Sequence, residues 1–587
     1  MRLIRLALGQ FNPTVGDIGG NTDKMLEFIS QALEEQADIV AFPELAITGY
    51  PPEDLLFKKQ FLLDSKKHLQ RIVKESGNTT VVVGAPEFIE GEPFHLGATN
   101  YPDQLNGRIY NSAVVASNGQ IVNIYRKIFL PNYGVFDEQR YFSKGTECPV
   151  FSINEVNIGV NICEDIWYEK GPTSVQRANG AELIVNINAS PFHLGRGAER
   201  YSMLSQRARS NKIFVSYINA VGGQDELVFD GQSIILDPEG KIIARSPQFR
   251  ESLLLADINA DQAKPFHEIH KQSFANPKHY FIASGNRKET KILKPSVAEE
   301  LEPYEEAFQA LVLGTRDYVK KSGFNKAVIG LSGGLDSALT TVIAVEALGS
   351  SNVTAFFMPS QYTSDQSLND SKKLSANLGI RMVTLPIEPI FNTYIESLAS
   401  EFQGTEIGTT EENLQARIRG NLLMAASNKF NWIVLTTGNK SEMATGYATL
   451  YGDMAGGFAV IKDVSKTLVK NISIHLNEAS NDEIIPYSII NRAPTAELRP
   501  DQKDEDSLPP YDELDLIISA YVEEDKSIED MASQGMAKDS IDLTVNLVDK
   551  SEYKRRQSPP GVKITKRNFG RDRRLPIANR YKQVPPW

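Results

Sequence analysis

Apolar positions in the first 260 residues fall into short runs divided by turns: residues 39–42, 80–84, 112–116, 158–162 and 183–187. Runs this short, bounded by turn residues, predict strands buried on at least one face. Residues 21–35 instead place apolar side chains at helical spacing and predict a helix. The mixture predicts an α/β domain over residues 1–260. From residue 261 the periodicity fades, and Pro265, Pro277, three histidines and several lysines take over. Residues 261–300 therefore read as a linker. A helix ending near Lys321 opens a second α/β unit over 301–587, with apolar runs at 327–331, 353–357 and 432–435. Strands alternating with helices predict a doubly wound parallel sheet, which takes ligands beyond its strand C-termini. Residues 499–512 are acidic and proline-rich and read as a mobile loop. The C-terminal stretch is basic (Lys554, Arg555, Arg556, Lys563, Arg573 and others) and reads as a solvated tail, a phosphate clamp or a subunit contact.

Composition narrows the class. A net charge of −12 over 587 residues argues against a general nucleic-acid binder. Two cysteines, Cys148 and Cys163, cannot form a disulfide framework and fit a reducing compartment. No apolar run reaches the roughly 18 residues that a membrane span needs. The first ten residues carry a charge in their middle and read as a strand rather than a secretion signal. A cytoplasmic protein without a membrane partner is expected.

The most informative motif is Leu331-Ser332-Gly333-Gly334-Leu335-Asp336-Ser337, set between an apolar run and a helical one. Strand, glycine turn and helix aim backbone N–H groups and a helix N-terminus at one point, which suits a phosphate. Asp336 would repel bare phosphate and makes sense as a ligand to phosphate-bound Mg²⁺. No lysine follows Gly334, so this is not the common P-loop. The loop resembles the PP-loop of the ATP pyrophosphatase superfamily, whose members adenylate a substrate, release pyrophosphate and let a nucleophile displace AMP.

A second set of candidates stands at strand ends in the first half: Glu44 in Phe-Pro-Glu-Leu, Lys127 in Tyr-Arg-Lys, and Cys163 in Cys-Glu-Asp. A carboxylate can take the thiol proton and return it to a departing amine. A nearby ammonium is expected to lower the thiol pKa toward neutrality and, with the N–H after Cys163, to hold an oxyanion. With their flanking residues these three resemble the Glu-Lys-Cys triad of the nitrilase, or carbon–nitrogen hydrolase, superfamily. That resemblance implies an αββα sandwich for the first domain.

The two halves in this order resemble the glutamine-dependent NAD⁺ synthetase family over nearly the full length. Further matching segments are Glu411 to Arg419, Leu435 to Glu442, Tyr451 to Gly457, Asp463 to Lys466 and Ala493 to Leu498. The resemblance implies an adenine nucleotide α-hydrolase-like second domain. It implies L-glutamine, ATP and deamido-NAD⁺ as substrates, with Mg²⁺ as cofactor. Carried over by position, Tyr133, Ser190 and Arg196 would bind glutamine. The loop residues 331–337 with Thr437, Lys466 and Thr495 would bind ATP. Asn413, Arg417, Glu442 and Lys554 would hold deamido-NAD⁺, and Asp336 and Glu442 would serve the metal. Ammonia-dependent relatives carry a lysine where this chain has Leu450, so its role in binding the dinucleotide must pass elsewhere. A homo-oligomer, possibly an octamer, is implied. Arg417 and Arg419 lie two apart on a predicted helix and point in different directions, so only one is expected to face the ligand. The residues alone leave open another glutamine-fuelled adenylating enzyme, a synthetase using only free ammonia, and a nucleotide-sensing module.

Overall fold

The computed structural model describes residues 1–91, 107–263, 276–282 and 292–581. The chain divides into two compact units. The first comprises Met1–Gln224 and Phe229–Leu301, the second Asp225–Val228 and Glu302–Trp587.

The first unit is an αββα sandwich. One six-stranded sheet runs in the order Ser252–Asn259, Leu3–Gln10, Ile39–Ala41, Thr80–Glu90, Gly107–Ser117, Gln120–Arg126. A seven-stranded sheet has Phe214–Asn219, Leu183–Asn188 and Val156–Ile162 at its centre. Side chains alternate across each strand, and that alternation builds three layers. Leu6, Leu8 and Val82 join Val160, Ile162 and Val185 in the core between the sheets. Their neighbours Ala7, Val81 and Val83 face outward and pack with Met25, Ile29 and Ile72 of the helices Ile18–Glu34 and Lys59–Lys74. On the far side Ile184 and Val215 pack with Leu204 and Ala208 of the helix Arg196–Asn211. Strands covered on both faces read as unbroken apolar runs, which is why the sequence showed runs rather than alternation.

The stretch read as a linker is only partly one. Its strand Asn276–Ile282 pairs in parallel with Glu147–Ile153 and extends the second sheet, with Tyr280 stacked on Phe151. Sheet edges accept short segments with little apolar periodicity, because backbone hydrogen bonds supply the pairing.

The second unit is built on a five-stranded parallel sheet in the order Arg381–Thr384, Val353–Phe357, Ala327–Gly330, Ile433–Thr436, Phe458–Ala459. Strand order reverses between Ala327–Gly330 and Ile433–Thr436, and the crevice beyond their C-terminal ends is where doubly wound sheets bind ligands. Residues 331–337 and Thr437 leave the sheet at that point.

Two surface expectations change. Asp504, in the acidic stretch read as a mobile loop, is buried and accepts hydrogen bonds from the hydroxyls of Tyr447 (3.2 Å) and Tyr511 (2.9 Å). The basic C-terminal stretch is partly internal. Arg555 is buried and donates to the carbonyls of Ala444 (2.6 Å) and Val548 (2.5 Å), while Lys563 pairs with Asp572 at 3.3 Å. Among the described residues, no helix is long and apolar enough to cross a membrane.

Candidate active sites

In the first unit, the ends of three strands converge. Glu44 follows the strand Ile39–Ala41, Lys127 follows Gln120–Arg126, and Cys163 opens a short 3₁₀ turn after Val156–Ile162. Gly84 makes the first approach possible: a Cβ there would lie 2.4 Å from the Pro43 carbonyl oxygen and Leu45 nitrogen. Cys163 has φ +43°, a left-handed conformation uncommon outside glycine and often found at functional sites.

Lys127 is fully buried between two carboxylates, with Nζ 2.7 Å from Glu44 Oε1 and 2.8 Å from Glu138 Oε1. Glu44 also accepts from Asn111 Nδ2 (2.7 Å) and the Ala189 N–H (3.1 Å). Glu138 accepts from the Tyr50 hydroxyl at 3.0 Å. Burial works against the Lys127 charge, but Glu138 and Glu44 overcome it, so its pKa rises well above the ordinary range. Burial and the Glu44 charge push Glu138 up to about 7, against the pull of Lys127.

The thiol departs from expectation. Burial and then Glu44 push Cys163 well above the usual cysteine range, and Lys127 only partly opposes them. Loss of solvation costs the thiolate more than the Lys127 ammonium returns. At rest the sulfur is therefore a thiol rather than a thiolate.

Asp165 ties two of these segments together. Its carboxylate accepts from the N–H groups of Ile128 (3.2 Å) and Phe129 (2.9 Å), just after Lys127, and of Ile162 (3.2 Å), just before Cys163. Sequence reasoning singled out neither Asp165 as a latch nor Glu138, Asn111 and Tyr50. The Cys-Glu-Asp triplet was a signal for the first; the others carry no local pattern.

The three glutamine-site candidates lie around the same cysteine. Tyr133 donates to both oxygens of Glu164 at 3.0 Å. The Arg196 guanidinium lies 4.3 Å from the centre of the Trp167 ring. Ser190 is buried, and its N–H donates to Asn219 Oδ1 at 2.9 Å. Burial and Glu164 push the Tyr133 hydroxyl up, and Cys163 and Arg196 also act on it, so these groups share one neighbourhood.

In the second unit, a cavity of about 640 Å³ opens at the sheet's switch point. Leu331, Ser332, Gly334, Leu335, Asp336, Ser337, Thr437, Lys466, Thr495 and Glu442 all line it. Gly333 instead supplies the bend, with φ +83°; a Cβ there would lie 2.7 Å from the Ser367 backbone. Asp336 pairs with Lys466 Nζ and accepts from Asn439 Nδ2 at 3.0 Å. Burial opposes the Lys466 charge, but Asp336 and Glu442 outweigh it and raise its pKa. Burial, reinforced by Asp336, holds Glu442 well above the carboxylate range. The Thr495 hydroxyl donates to the Gln502 carbonyl at 2.6 Å.

The dinucleotide candidates scatter. Arg417 lines a second cavity of about 520 Å³ together with Leu450, and its Nε donates to the Leu450 carbonyl at 3.2 Å. Gly420, Met454 and Ala455 line both cavities. Arg419, not Arg417, lines the larger cavity, and burial pushes its pKa down to about 10. Asn413 Oδ1 accepts from the Thr449 hydroxyl at 2.6 Å. Lys554 Nζ donates to the carbonyls of Gly446 (2.7 Å) and Ala448 (2.8 Å), at the end of the helix Lys440–Thr445.

Fold and sites together define a carbon–nitrogen hydrolase fused to an NAD synthase: residues 5–268 match the carbon–nitrogen hydrolase family and residues 307–558 the NAD synthase family. A glutamine-dependent NAD(+) synthetase of Thermotoga maritima is 46% identical over 99% of this chain and 100% of its own. That of Aquifex aeolicus is 43% identical with the same coverage. The solved structure of the Acinetobacter baumannii glutamine-dependent NAD⁺ synthetase in complex with ADP superposes with a TM-score of 0.74 at 39% identity, over 98% of this chain and 99% of that one. The chain belongs to the glutamine-dependent NAD(+) synthetase family.

Proposed function

We propose that the chain converts deamido-NAD⁺ to NAD⁺, consuming ATP and taking its nitrogen from L-glutamine, with the residues described above in named roles. The observation that carries the reading is the buried Glu44–Lys127 pair beside Cys163 on the same chain as the glycine-loop cavity. In the first unit Glu44 takes the Cys163 proton as sulfur attacks the glutamine side-chain amide. Lys127 pairs with Glu44 at 2.7 Å and, with the N–H after Cys163, holds the oxyanion. Glu44 returns the proton to the departing ammonia, and water then releases glutamate from the thioester. Tyr133, Ser190 and Arg196 hold the amino-acid end of glutamine.

In the second unit the nicotinate carboxylate of deamido-NAD⁺ attacks the α-phosphorus of ATP, pyrophosphate leaves, and ammonia displaces AMP. The glycine loop, Thr437, Lys466 and Thr495 hold ATP. Asn413, Arg417, Glu442 and Lys554 remain the candidates for deamido-NAD⁺, with Arg419 the better-placed arginine for the larger cavity. Oxygen donors from Asp336 and Glu442 suit Mg²⁺, which takes one or two carboxylates and completes its shell with phosphates and water. Among the described residues no cluster of three or more acidic, His or Cys side chains could hold a metal ion. When bound, Mg²⁺ would neutralise charge on the leaving pyrophosphate. The enzyme works in the cytoplasm as a homo-oligomer. The helix Glu388–Leu398 buries none of its residues and exposes Ile390 and Tyr394, an apolar face suited to a second copy.

Glutamine labelled at the amide nitrogen, supplied with ATP, Mg²⁺ and deamido-NAD⁺, tests the reading by mass spectrometry of the NAD⁺ formed. The label should appear in the product. In Cys163→Ala it should not, while synthesis from added ammonia stays within about twofold of wild type. Equal loss of both activities would refute the division of labour.

A further inference from the structure

Arg492 lies in the wall of the larger cavity, and the roles assigned so far leave it unused. Its guanidinium donates to Ser367 Oγ at 2.6 Å and Ser364 Oγ at 3.1 Å, and pairs with Glu497. Ser367 is the residue whose backbone meets Gly333, so Arg492 stands one side chain away from the bend of the glycine loop. The other cations on this wall are differently committed. Lys466 is held by Asp336, Arg419 donates to the Met358 carbonyl at 3.0 Å, and Lys470 is exposed.

We propose that Arg492 grips the β- and γ-phosphates of ATP and holds the departing pyrophosphate. This rests on the cavity being the ATP site. In the adenylation step an oxygen of the nicotinate carboxylate bonds to the α-phosphorus. The bond from that phosphorus to the bridging oxygen breaks, and its electron pair leaves with pyrophosphate. Charge therefore grows on the leaving group, at the glycine-loop end of the nucleotide, where a planar two-pronged cation is most useful. Glu497 occupies the fork. It does so from a left-handed backbone, φ +49°, which a glutamate rarely adopts. A phosphate entering the cavity replaces that carboxylate with a more highly charged partner, and Ser364 and Ser367 keep the guanidinium aimed during the exchange. Glu497 is thus a positioning residue: it stores the arginine in its working orientation until ATP arrives.

The test is product inhibition of the full-length enzyme running on free ammonia. Arg492→Gln should raise both the KM for ATP and the inhibition constant for pyrophosphate by about tenfold or more, the weight of a charge-assisted hydrogen bond. Inhibition by AMP, which lacks those phosphates, should move less than about threefold, and hydrolysis of glutamine should be unchanged. Arg492→Lys keeps the charge without the fork and should recover part of the loss; it also serves if the glutamine variant folds poorly. Glu497→Gln should raise the KM for ATP by a smaller factor. Equal shifts for AMP and pyrophosphate, or none for pyrophosphate, overturn the proposal. Asp336→Asn run in parallel separates the two readings. If it raises the KM for ATP while Arg492→Gln does not, only the arginine's role fails. If neither does, the cavity is not the ATP site.

Discussion

Lys127 and Lys466 are both buried ammonium groups held by carboxylates, yet they serve different kinds of site. Lys127 is closed in: Glu44 and Glu138 flank it, and Asn111, Tyr50 and the Ala189 N–H take up further carboxylate valences. Lys466 lines an open cavity and pairs with Asp336, whose other oxygen is tied to Asn439. The first site brings all its charges with it and receives a neutral amide, so it can be dry and fully assembled beforehand. The second, in the proposed reading, receives a polyanion. Its charges are kept in provisional pairs, Asp336 with Lys466 and Glu497 with Arg492, which substrate can break. Serines of the glycine loop are paired in the same way: Ser332 Oγ and Ser337 Oγ lie 3.1 Å apart.

The sharpest way to break the comparison is to remove each lysine. Lys127→Met strands two buried carboxylates without a counter-charge, a loss that costs about 3–5 kcal/mol. Lys466→Met leaves its carboxylates at the edge of a cavity that water enters, and should cost about 1–2 kcal/mol. Calorimetric unfolding of the two variants measures the difference. Equal destabilisation would mean that the second site is as closed as the first.

What the sequence made legible follows the same division. The elements that built the motifs were local: apolar runs at 158–162 and 327–331 ended in Cys163 and in the glycine loop, so both landed at strand C-termini. Partners that meet across the fold left no trace. Tyr50 and Glu138 are 88 residues apart, and Asn111 and Glu44 are 67 apart, with no local pattern around Tyr50, Asn111 or Glu138 to mark them. The thiol pKa was misjudged because the lysine was visible in the motif, but the burial of the sulfur, which outweighs it, was not. Asp504 misled because an acidic, proline-rich stretch is ordinarily solvated, and only the two tyrosine hydroxyls that bind it explain why it is buried. Arg417 and Arg419 were legible as diverging but not as to which would face the larger cavity, since that depends on how the helix Thr409–Phe430 is rotated against the sheet.

A pH series sharpens the picture of the closed site. Glu138 is raised from 4.5 to about 7, so folding favours its protonated form. Its contribution to stability is complete below the unfolded value and is lost as pH rises through the folded one. The first unit should therefore melt at a lower temperature at pH 8 than at pH 5.5 on account of this group. Glu138→Gln, which cannot ionise, should flatten that part of the profile and gain on wild type above pH 7. A wild-type profile that rises across this window, with no change in slope in Glu138→Gln, would mean that Glu138 stays ionised beside Lys127.

The smallest expected effect separates a structural from a ligand-binding lysine in the open site. Lys554 Nζ lies against the Gly446 and Ala448 carbonyls, where a cation offsets the negative end of the helix Lys440–Thr445. If that is its whole work, Lys554→Met costs about 1 kcal/mol, lowers the melting temperature by about 2 °C and leaves the KM for deamido-NAD⁺ within about threefold. If it reaches the dinucleotide as the family resemblance implies, that KM rises about tenfold or more while stability barely moves. The two outcomes are exclusive in sign and size. The first is expected because the Gly446 and Ala448 carbonyls already hold the ammonium. Lys554 thus spends its donors on backbone carbonyls, where Lys466 and Arg492 have carboxylates that a polyanion can displace.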